Sequence, residues 1–382
     1  MEQVNLNEAA YWLALVNNSG LKLGEIKPIA QQWHLMEGKS IAELFNLSVL
    51  ELMTRFDLSD EQAQGLLKAA ATHQTQLALL KKWQSQGIEL LTLSHPHFPG
   101  RLAYTLPPRQ QPLFLWARGN TALLTEPAIT ILGRPDPDPD TVAFVKALSL
   151  ILEMEHIGVI SGYGKGLDRL AFETMLELSE GHSLAVLPMG LAAFAKLTEK
   201  LEEPVAAGRA VLLSPFPPDT AFKDNLAEAR NLLVDSLALA LLVPQVDSVS
   251  LPRAEAALDR GMPVLVDMTD SPENRALIAK GAFFLTDPGE VIDMVQQAVL
   301  DDAMQTKLMK APASETASAT GGDQVPLLDG VDNYALGSEI VDPLAAEEAL
   351  DILSSMGNVP DTLRARLMAI EAQQRESKSD KE

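Results

Sequence analysis

The chain of 382 residues contains no cysteine. This absence excludes disulfide bonds, thiolate catalysis and cysteine-ligated zinc or iron–sulfur centres. Basic residues are also scarce, with 30 Lys and Arg against 52 Asp and Glu and a formal net charge of −22. Broad contact with nucleic acid needs a basic face that displaces counterions from phosphates, so the charge argues against an extended nucleic-acid surface. A small local basic site remains compatible with it.

Long hydrophobic runs are absent as well. The most apolar stretch, 232–243, has about a dozen residues and includes Asp235, too few to span a bilayer. The first residues lack a basic segment followed by an apolar one, so we expect no signal peptide, no membrane contact and a cytoplasmic location. Hydrophobic residues make up 47% and charged residues 21%, which is typical of globular proteins.

The length predicts two or three domains, and the composition changes along the chain in a way that places their borders. Capping signals and apolar stripes predict a small helical domain at the N-terminus, and a proline-rich connector follows it. Gly, Ser and Thr then dominate a flexible linker near the C-terminus. The predicted segments are a helical domain at 1–87, a connector at 88–127, an α/β domain at 128–300, a linker at 301–330 and an acidic C-terminal helical region and tail at 331–382, with helices at 344–356 and 361–374.

Short apolar runs alternate with helical patterns between 128 and 300. This alternation is typical of right-handed βαβ units on a buried parallel sheet. We therefore expect an α/β fold with a doubly wound, mainly parallel, Rossmann-like sheet. Predicted strands are Ile129–Leu132, Gly158–Ile160, Ser183–Leu187, Ala210–Leu213, Leu237–Val243, Pro263–Val266 and Phe283–Leu285, and predicted helices are Thr141–Glu155, Arg169–Glu180, Asn225–Val234 and Arg253–Arg260.

A glycine-rich segment, Ser161-Gly-Tyr-Gly-Lys-Gly-Leu-Asp168, joins a predicted strand to a predicted helix. Its glycines allow a sharp turn, and backbone amides near a helix N-terminus can bind an anion. Asp168 stands where a carboxylate could cap the helix or accept a ribose hydroxyl. A purely structural turn explains the same residues, so the motif alone leaves both interpretations open.

Two further segments bear on the same edge of the sheet. The loop from Gly133 to Asp140 alternates Pro and Asp around Arg134, which indicates a rigid solvated turn with Asp140 as a helix cap. Arg230-Asn231 precedes a buried strand, where Arg230 could bind a phosphate or pair with an acid such as Asp168. The six histidines lack metal-ligand spacing, and no catalytic triad is evident. We therefore predict no metal, no cofactor and no catalytic residue, so enzymatic activity is the less favoured interpretation.

Several short blocks, in order along the chain, resemble the DNA-processing protein A (DprA/Smf) family. They are His95-Pro-His-Phe-Pro, Pro112-Leu-Phe-Leu-Trp-Ala-Arg-Gly, Ile131-Leu-Gly, the segment Ser161–Asp168, Gly181-His-Ser-Leu-Ala-Val-Leu-Pro-Met-Gly, Arg230-Asn231, 254–264 and 274–282. The resemblance implies an extended Rossmann fold with an N-terminal helical domain of the SAM or helix–hairpin–helix kind. It also implies binding of single-stranded DNA, a homodimer, and loading of a RecA-type recombinase during natural transformation.

The resemblance carries a set of DNA- or phosphate-binding residues: Arg134, Ser161, Gly162, Gly164, Lys165, Gly166, Asp168, Lys196, Arg230 and Asn231. Several family positions are changed, and most changes remove positive charge or glycine. Pro135 and Leu232 stand where the family has Arg, Phe172 where it has His, Val249 where it has Gly, and Asp57 lies in a turn where Gly would present amides. We therefore expect weak binding of single-stranded DNA. The alternatives are a nucleotide sensor or enzyme on the same scaffold and an inactive scaffold relative.

Overall fold

The computed structural model describes residues 5–194, 199–267, 271–285 and 288–310. In chain order the helices and strands are α1 (Leu6–Asn18), α2 (Leu23–Ala30), α3 (Ile41–Leu44), α4 (Val49–Phe56), α5 (Asp60–Ala69), α6 (His73–Gln84), β1 (Ile88–Thr92), α7 (Leu102–Thr105), β2 (Phe114–Gly119), β3 (Ala128–Ile131), α8 (Pro139–Met154), β4 (Gly158–Ser161), α9 (Leu167–Glu177), β5 (Ser183–Val186), α10 (Leu191–Phe194), α11 (Glu202–Ala206), β6 (Ala210–Ser214), α12 (Asp224–Leu237), β7 (Leu241–Val243), α13 (Ser250–Asp259), β8 (Val264–Val266), α14 (Pro272–Ala279), β9 (Phe283–Phe284) and α15 (Pro288–Lys310). Contacts divide the chain into a first unit, Met1–Thr125 with Leu184–Leu233, and a second unit, Glu126–Ser183 with Val234 onward.

Helices α1 to α5 of the first unit enclose an apolar core that includes two tryptophans, Trp12 and Trp33, both almost fully buried. Capping boxes begin α4 and α5, where Ser48 pairs with Glu51 and Ser59 with Gln62. Each box satisfies amides that a helix leaves unpaired at its N-terminus. The predicted N-terminal helical region is therefore confirmed.

Four strands of the first unit lie in the order β1-β2-β6-β5. Strand β2 pairs antiparallel with β1, with Ile88 opposite Arg118, and antiparallel with β6, with Trp116 opposite Ser214. The proline-rich connector predicted at 88–127 thus contributes β1 and β2, and its Leu113 packs into the helical core.

The second unit has the strand order β4-β3-β7-β8-β9, and each of its neighbouring pairs is parallel. Strands β3, β4, β7 and β8 are buried along their whole length, and helices α8 and α9 pack their apolar faces in the same core. Buried parallel strands covered by helices are the arrangement that the alternating apolar runs predict. The α/β fold with mainly parallel strands is confirmed.

Two sequence predictions, one strand and one helix cap, need correction. The segment predicted as one strand, Leu237–Val243, contains the end of α12 at Leu237 and a short strand β7 from Leu241. The cap of α8 is Asp138 rather than Asp140, because the Asp138 carboxylate accepts a bond from the amide of Thr141. Most of the predicted linker at 301–330 and all of the C-terminal region at 331–382, with its two helices, lie outside the described residues.

Among the described residues, no helix combines the length and the apolar composition that a membrane crossing requires.

His182 is an internal titratable group of the second unit. A Cβ at Gly158 would lie only 2.6 Å from His182 Nε2. Glycine at this position of β4 therefore leaves room for the imidazole. That nitrogen is buried and has no hydrogen-bond partner among the described residues. Burial disfavours the imidazolium and His156 repels it, which lowers the pKa of His182 to about 4.

This lowered pKa predicts that acid destabilises the second unit through His182. Because the folded pKa lies below the unfolded value of about 6.5, the contribution is fully present above pH 6.5 and is lost as pH falls toward 4. Between pH 7 and pH 5 we expect the free energy of unfolding to fall by about 1–2 kcal/mol more in the natural chain than in His182→Gln. Urea unfolding at both pH values measures the difference. His73→Gln is the control, and an equal acid loss in all three proteins would contradict the prediction.

Candidate functional site

The glycine-rich segment forms the turn from β4 into α9, as its spacing predicts. Strand β4 ends at Ser161, which is fully buried, and its hydroxyl accepts a hydrogen bond of 2.7 Å from the amide of Tyr163. Helix α9 begins at Leu167. The turn therefore presents Gly162 to Gly166 at the C-terminal end of a parallel strand, the edge at which open α/β sheets bind their ligands.

Asp168 binds the amides of its own loop. Its Oδ1 accepts from the amide of Gly162 at 3.1 Å, and its Oδ2 accepts from the amide of Gly164 at 2.9 Å. Two of the amides that the sequence offers to an anion are thus already paired with an internal carboxylate. Within the described residues the amides of Lys165 and Gly166 have no such partner.

A tyrosine and an arginine complete the loop. Tyr163 has the left-handed φ of +56°, and Arg169 donates to its carbonyl at 3.1 Å while the guanidinium lies 4.5 Å from the ring centroid. The Tyr163 hydroxyl donates to Glu173 at 3.1 Å. Burial, followed by the Glu173 carboxylate, raises the pKa of Tyr163 to about 12. Arg169 was not among the predicted site residues, although its place in the first turn after the glycines was a signal for it.

The loop packs closely on the segment after β3. Gly166 has a φ of +85°, and a Cβ there would lie 2.4 Å from Pro135 Cα and 2.5 Å from the Arg134 carbonyl oxygen. The amide of Leu167 donates to that same carbonyl at 3.3 Å. Arg134 therefore lies beside the glycine-rich loop, and the side chains of Arg134 and Lys165 are both exposed.

Phe172 on α9 is an apolar residue that packs against the glycine-rich loop. Its side chain is fully buried, and its ring meets Tyr163 edge to face at a centroid distance of 5.3 Å. This buried aromatic contact stabilises the position of the Tyr163 ring, and it offers no polar group to a ligand.

The loop after β3 carries three aspartates close to Arg134 in the sequence. Asp136, Asp138 and Asp140 are all exposed. Asp138 caps α8 and also accepts from Gln245, and the backbone bond from Thr141 is the main cause that lowers its pKa. No group of three or more His, Asp or Glu arranged to hold a metal ion occurs among the described residues.

The remaining predicted site residues lie elsewhere. Arg230 belongs to the first unit, is only 6% exposed, and donates at 2.9 Å to the carbonyl of Val186 on β5. Asn231 follows it on α12 and is half-buried. Lys196 lies outside the described residues. The structure thus brings together Arg134 and the Ser161–Asp168 segment in the second unit.

Comparison with known families decides where the chain belongs. The family model for DNA recombination-mediator protein A matches residues 89–296, more than half of the chain. The chain belongs to this family. The match includes every predicted site residue, and it confirms the resemblance to the DNA-processing protein A family.

The fold is similar to that of one solved structure, and two other structures match less well. DNA processing protein A from Streptococcus pneumoniae is 20% identical, with a TM-score of 0.52, over 77% of this chain and 98% of that one. DNA processing protein A from Helicobacter pylori, a structure described for its single-stranded DNA binding mode, is 23% identical with a TM-score of 0.45 over 55% and 96%. A molybdenum cofactor carrier protein from Chlamydomonas reinhardtii is 15% identical with a TM-score of 0.33 over 46% and 99%. A search of curated proteins found no match.

Two glycines of the loop provide a matched test of its geometry. Gly166→Ala introduces a side chain at positive φ that overlaps backbone atoms of Arg134 and Pro135, so we expect it to destabilise the protein by about 2 kcal/mol or more. Gly164→Ala meets only the Asp168 Oδ2 at 3.2 Å and should cost less than about 1 kcal/mol. Thermal and urea unfolding of both variants measures the difference, and equal costs would contradict the described loop.

Proposed function

We propose that this protein binds single-stranded DNA weakly through the glycine-rich loop of its second unit and acts in DNA processing. Family membership supports the general role, since the family is described as a recombination mediator. Lys165 and Arg134 supply the positive charge, and the amides of Lys165 and Gly166 supply backbone donors beside the N-terminus of α9. Phosphate is the group that such a combination binds.

The hydrogen bonds that Asp168 accepts from the amides of Gly162 and Gly164 are the observation that supports weak binding. These bonds hold the loop in shape. They also place a negative carboxylate where a phosphate would otherwise accept hydrogen bonds from the same two amides. A phosphate at this loop therefore has fewer donors and a like charge nearby. The exposed aspartates beside Arg134 act in the same direction.

Arg230 receives a smaller share of the binding free energy in this proposal. Its guanidinium is only 6% exposed and already donates to the Val186 carbonyl at 2.9 Å, so little of it is open to a phosphate. Asn231 and Lys196 stay predicted contributors on the resemblance alone.

Two partners extend the proposal. A mediator of recombination must deliver DNA to another protein, so we assign a RecA-type recombinase as the acceptor of the bound strand and a homodimer as the active form. The family's description as a recombination mediator supports the recombinase. The homodimer rests on the resemblance alone. Pairing of two weak sites in a dimer would also raise the affinity for one long strand, because the second contact becomes intramolecular.

Charge removal at Lys165 tests the DNA site. We expect Lys165→Gln to weaken binding of a labelled single-stranded oligonucleotide about three- to tenfold and to reduce the slope of log K against log salt by about 0.7 for the lost phosphate contact. The matched control is Lys146→Gln, which removes an exposed lysine from α8 of the same unit. Fluorescence anisotropy over a series of salt concentrations measures both quantities. Identical affinity and slope in all three proteins would overturn the assignment of this loop.

A further inference from the structure

Arg169 occupies a place on α9 that is electrostatically unfavourable for a cation. The helix begins at Leu167, so Arg169 lies in its first turn, where the partial positive charge of the helix N-terminus repels a guanidinium. Among the described residues, no carboxylate forms a salt bridge with Arg169, although Glu173 lies one turn further along the same helix. Helix stability and ion pairing therefore do not account for an arginine at this position.

The guanidinium binds the backbone of the glycine-rich loop instead. Arg169 Nη2 donates to the Tyr163 carbonyl at 3.1 Å, and the amide of Gly164 donates to Asp168 Oδ2 at 2.9 Å. This carbonyl and this amide belong to one planar peptide group, the group that joins Tyr163 to Gly164. Two consecutive residues of α9 thus hold a single peptide group of the loop from both of its ends.

The residue that precedes this peptide group is strained. Tyr163 has a φ of +56°, a left-handed conformation that is unfavourable for a bulky side chain and persists where the surroundings impose it. The Arg169 guanidinium lies 4.5 Å from the centroid of its ring, and the Phe172 ring meets it edge to face. The Tyr163 hydroxyl donates to Glu173. Of these three residues of α9, Arg169 is the one that contacts both the ring and the carbonyl of Tyr163.

The guanidinium is packed into the loop rather than presented to a ligand. Arg169 is half-buried, and its Nε is buried without a hydrogen-bond partner among the described residues. The side chain of Lys165, by contrast, is exposed. An anion binds more tightly to a loop whose conformation is fixed beforehand, because a mobile loop loses conformational entropy on binding. The contacts of Arg169 supply this kind of fixation.

We propose that Arg169 is a positioning residue for phosphate binding by the glycine-rich loop, an inference that rests on the proposed function of this loop. Arg169 holds the peptide group between Tyr163 and Gly164. The next two amides, those of Lys165 and Gly166, thereby keep their direction before a phosphate arrives. Arg169 acts on DNA through this backbone and makes no phosphate contact of its own. Lysine cannot replace it, because an ammonium lacks the planar fork that donates to a carbonyl while it stacks on a ring.

Two substitutions separate positioning from a direct phosphate contact. Arg169→Lys keeps the positive charge and loses the fork, whereas Arg169→Gln loses both. We expect each variant to bind the labelled single-stranded oligonucleotide at least about threefold more weakly, with an unchanged slope of log K against log salt. A direct contact would largely spare Arg169→Lys and would reduce the slope by about 0.7 in Arg169→Gln. The matched controls are Arg275→Lys and Arg275→Gln, which alter an exposed arginine on α14 of the same unit and should leave binding unchanged.

Hydrogen exchange of the loop amides, followed by ¹H–¹⁵N NMR of the full chain, reports on the positioning itself. In the natural chain we expect a higher protection factor for the amide of Gly164, which is bonded to Asp168, than for that of Lys165. In Arg169→Lys the protection of Gly164 should fall at least about threefold, while that of Val159 in β4 stays unchanged. The comparison within the natural chain needs no variant, so it remains informative if a substitution prevents folding.

Unchanged affinity or unchanged Gly164 protection in Arg169→Lys would each overturn the proposal. Equal protection of Gly164 and Lys165 in the natural chain, or a reduced salt slope in Arg169→Gln, would do the same. Lys165→Gln distinguishes this failure from failure of the proposed function. If Lys165→Gln weakens DNA binding and Arg169→Lys does not, the loop binds DNA without help from Arg169. If neither weakens it, the loop is not the DNA site and both proposals are wrong.

Discussion

The glycine-rich turn depends on one carboxylate, that of Asp168. By accepting from the amides of Gly162 and Gly164, it closes a loop whose glycines would otherwise leave the backbone many conformations. The closed loop places Tyr163 at positive φ and sets Gly166 against the Arg134 carbonyl. The same bonds determine the electrostatics of the site, because the anion nearest the loop amides is part of the protein.

Sequence alone could predict the existence and place of this turn, but not the partners of the Asp168 carboxylate. Three glycines after a strand and before a helix predict a tight βα turn at a ligand-binding edge, and the structure has one. An aspartate at the start of a helix can cap it, bind its own loop or accept a ligand hydroxyl. The choice depends on backbone angles that the residue types do not specify. Arg169 was not predicted as a site residue for the same reason, since its hydrogen bond to the Tyr163 carbonyl requires the unusual φ of Tyr163.

The apolar run 232–243 and the connector show two other physical limits of sequence reasoning. A helix end and a strand that are both buried carry the same continuous apolar pattern, so periodicity could not separate the end of α12 from β7. The sequence predicted turns around 88–127 because of Pro107, Pro108 and Pro112. These turn signals obscured strand β2, which begins just two residues after Pro112. Such local errors do not change the prediction of an α/β fold, because that prediction depends on many alternating segments at once.

Internal bonds engage three arginines that could otherwise have served an anion site. Arg230 donates to the Val186 carbonyl, Arg253 pairs with the buried Asp235, and Arg169 binds Tyr163. Each bond stabilises one unit and leaves less positive charge at its surface. In the described part of the second unit, Lys165 and Arg134 are exposed basic residues beside the glycine-rich loop. In the proposed function, a phosphate at this loop therefore depends on the exposed Lys165 and Arg134 and on the backbone amides of Lys165 and Gly166.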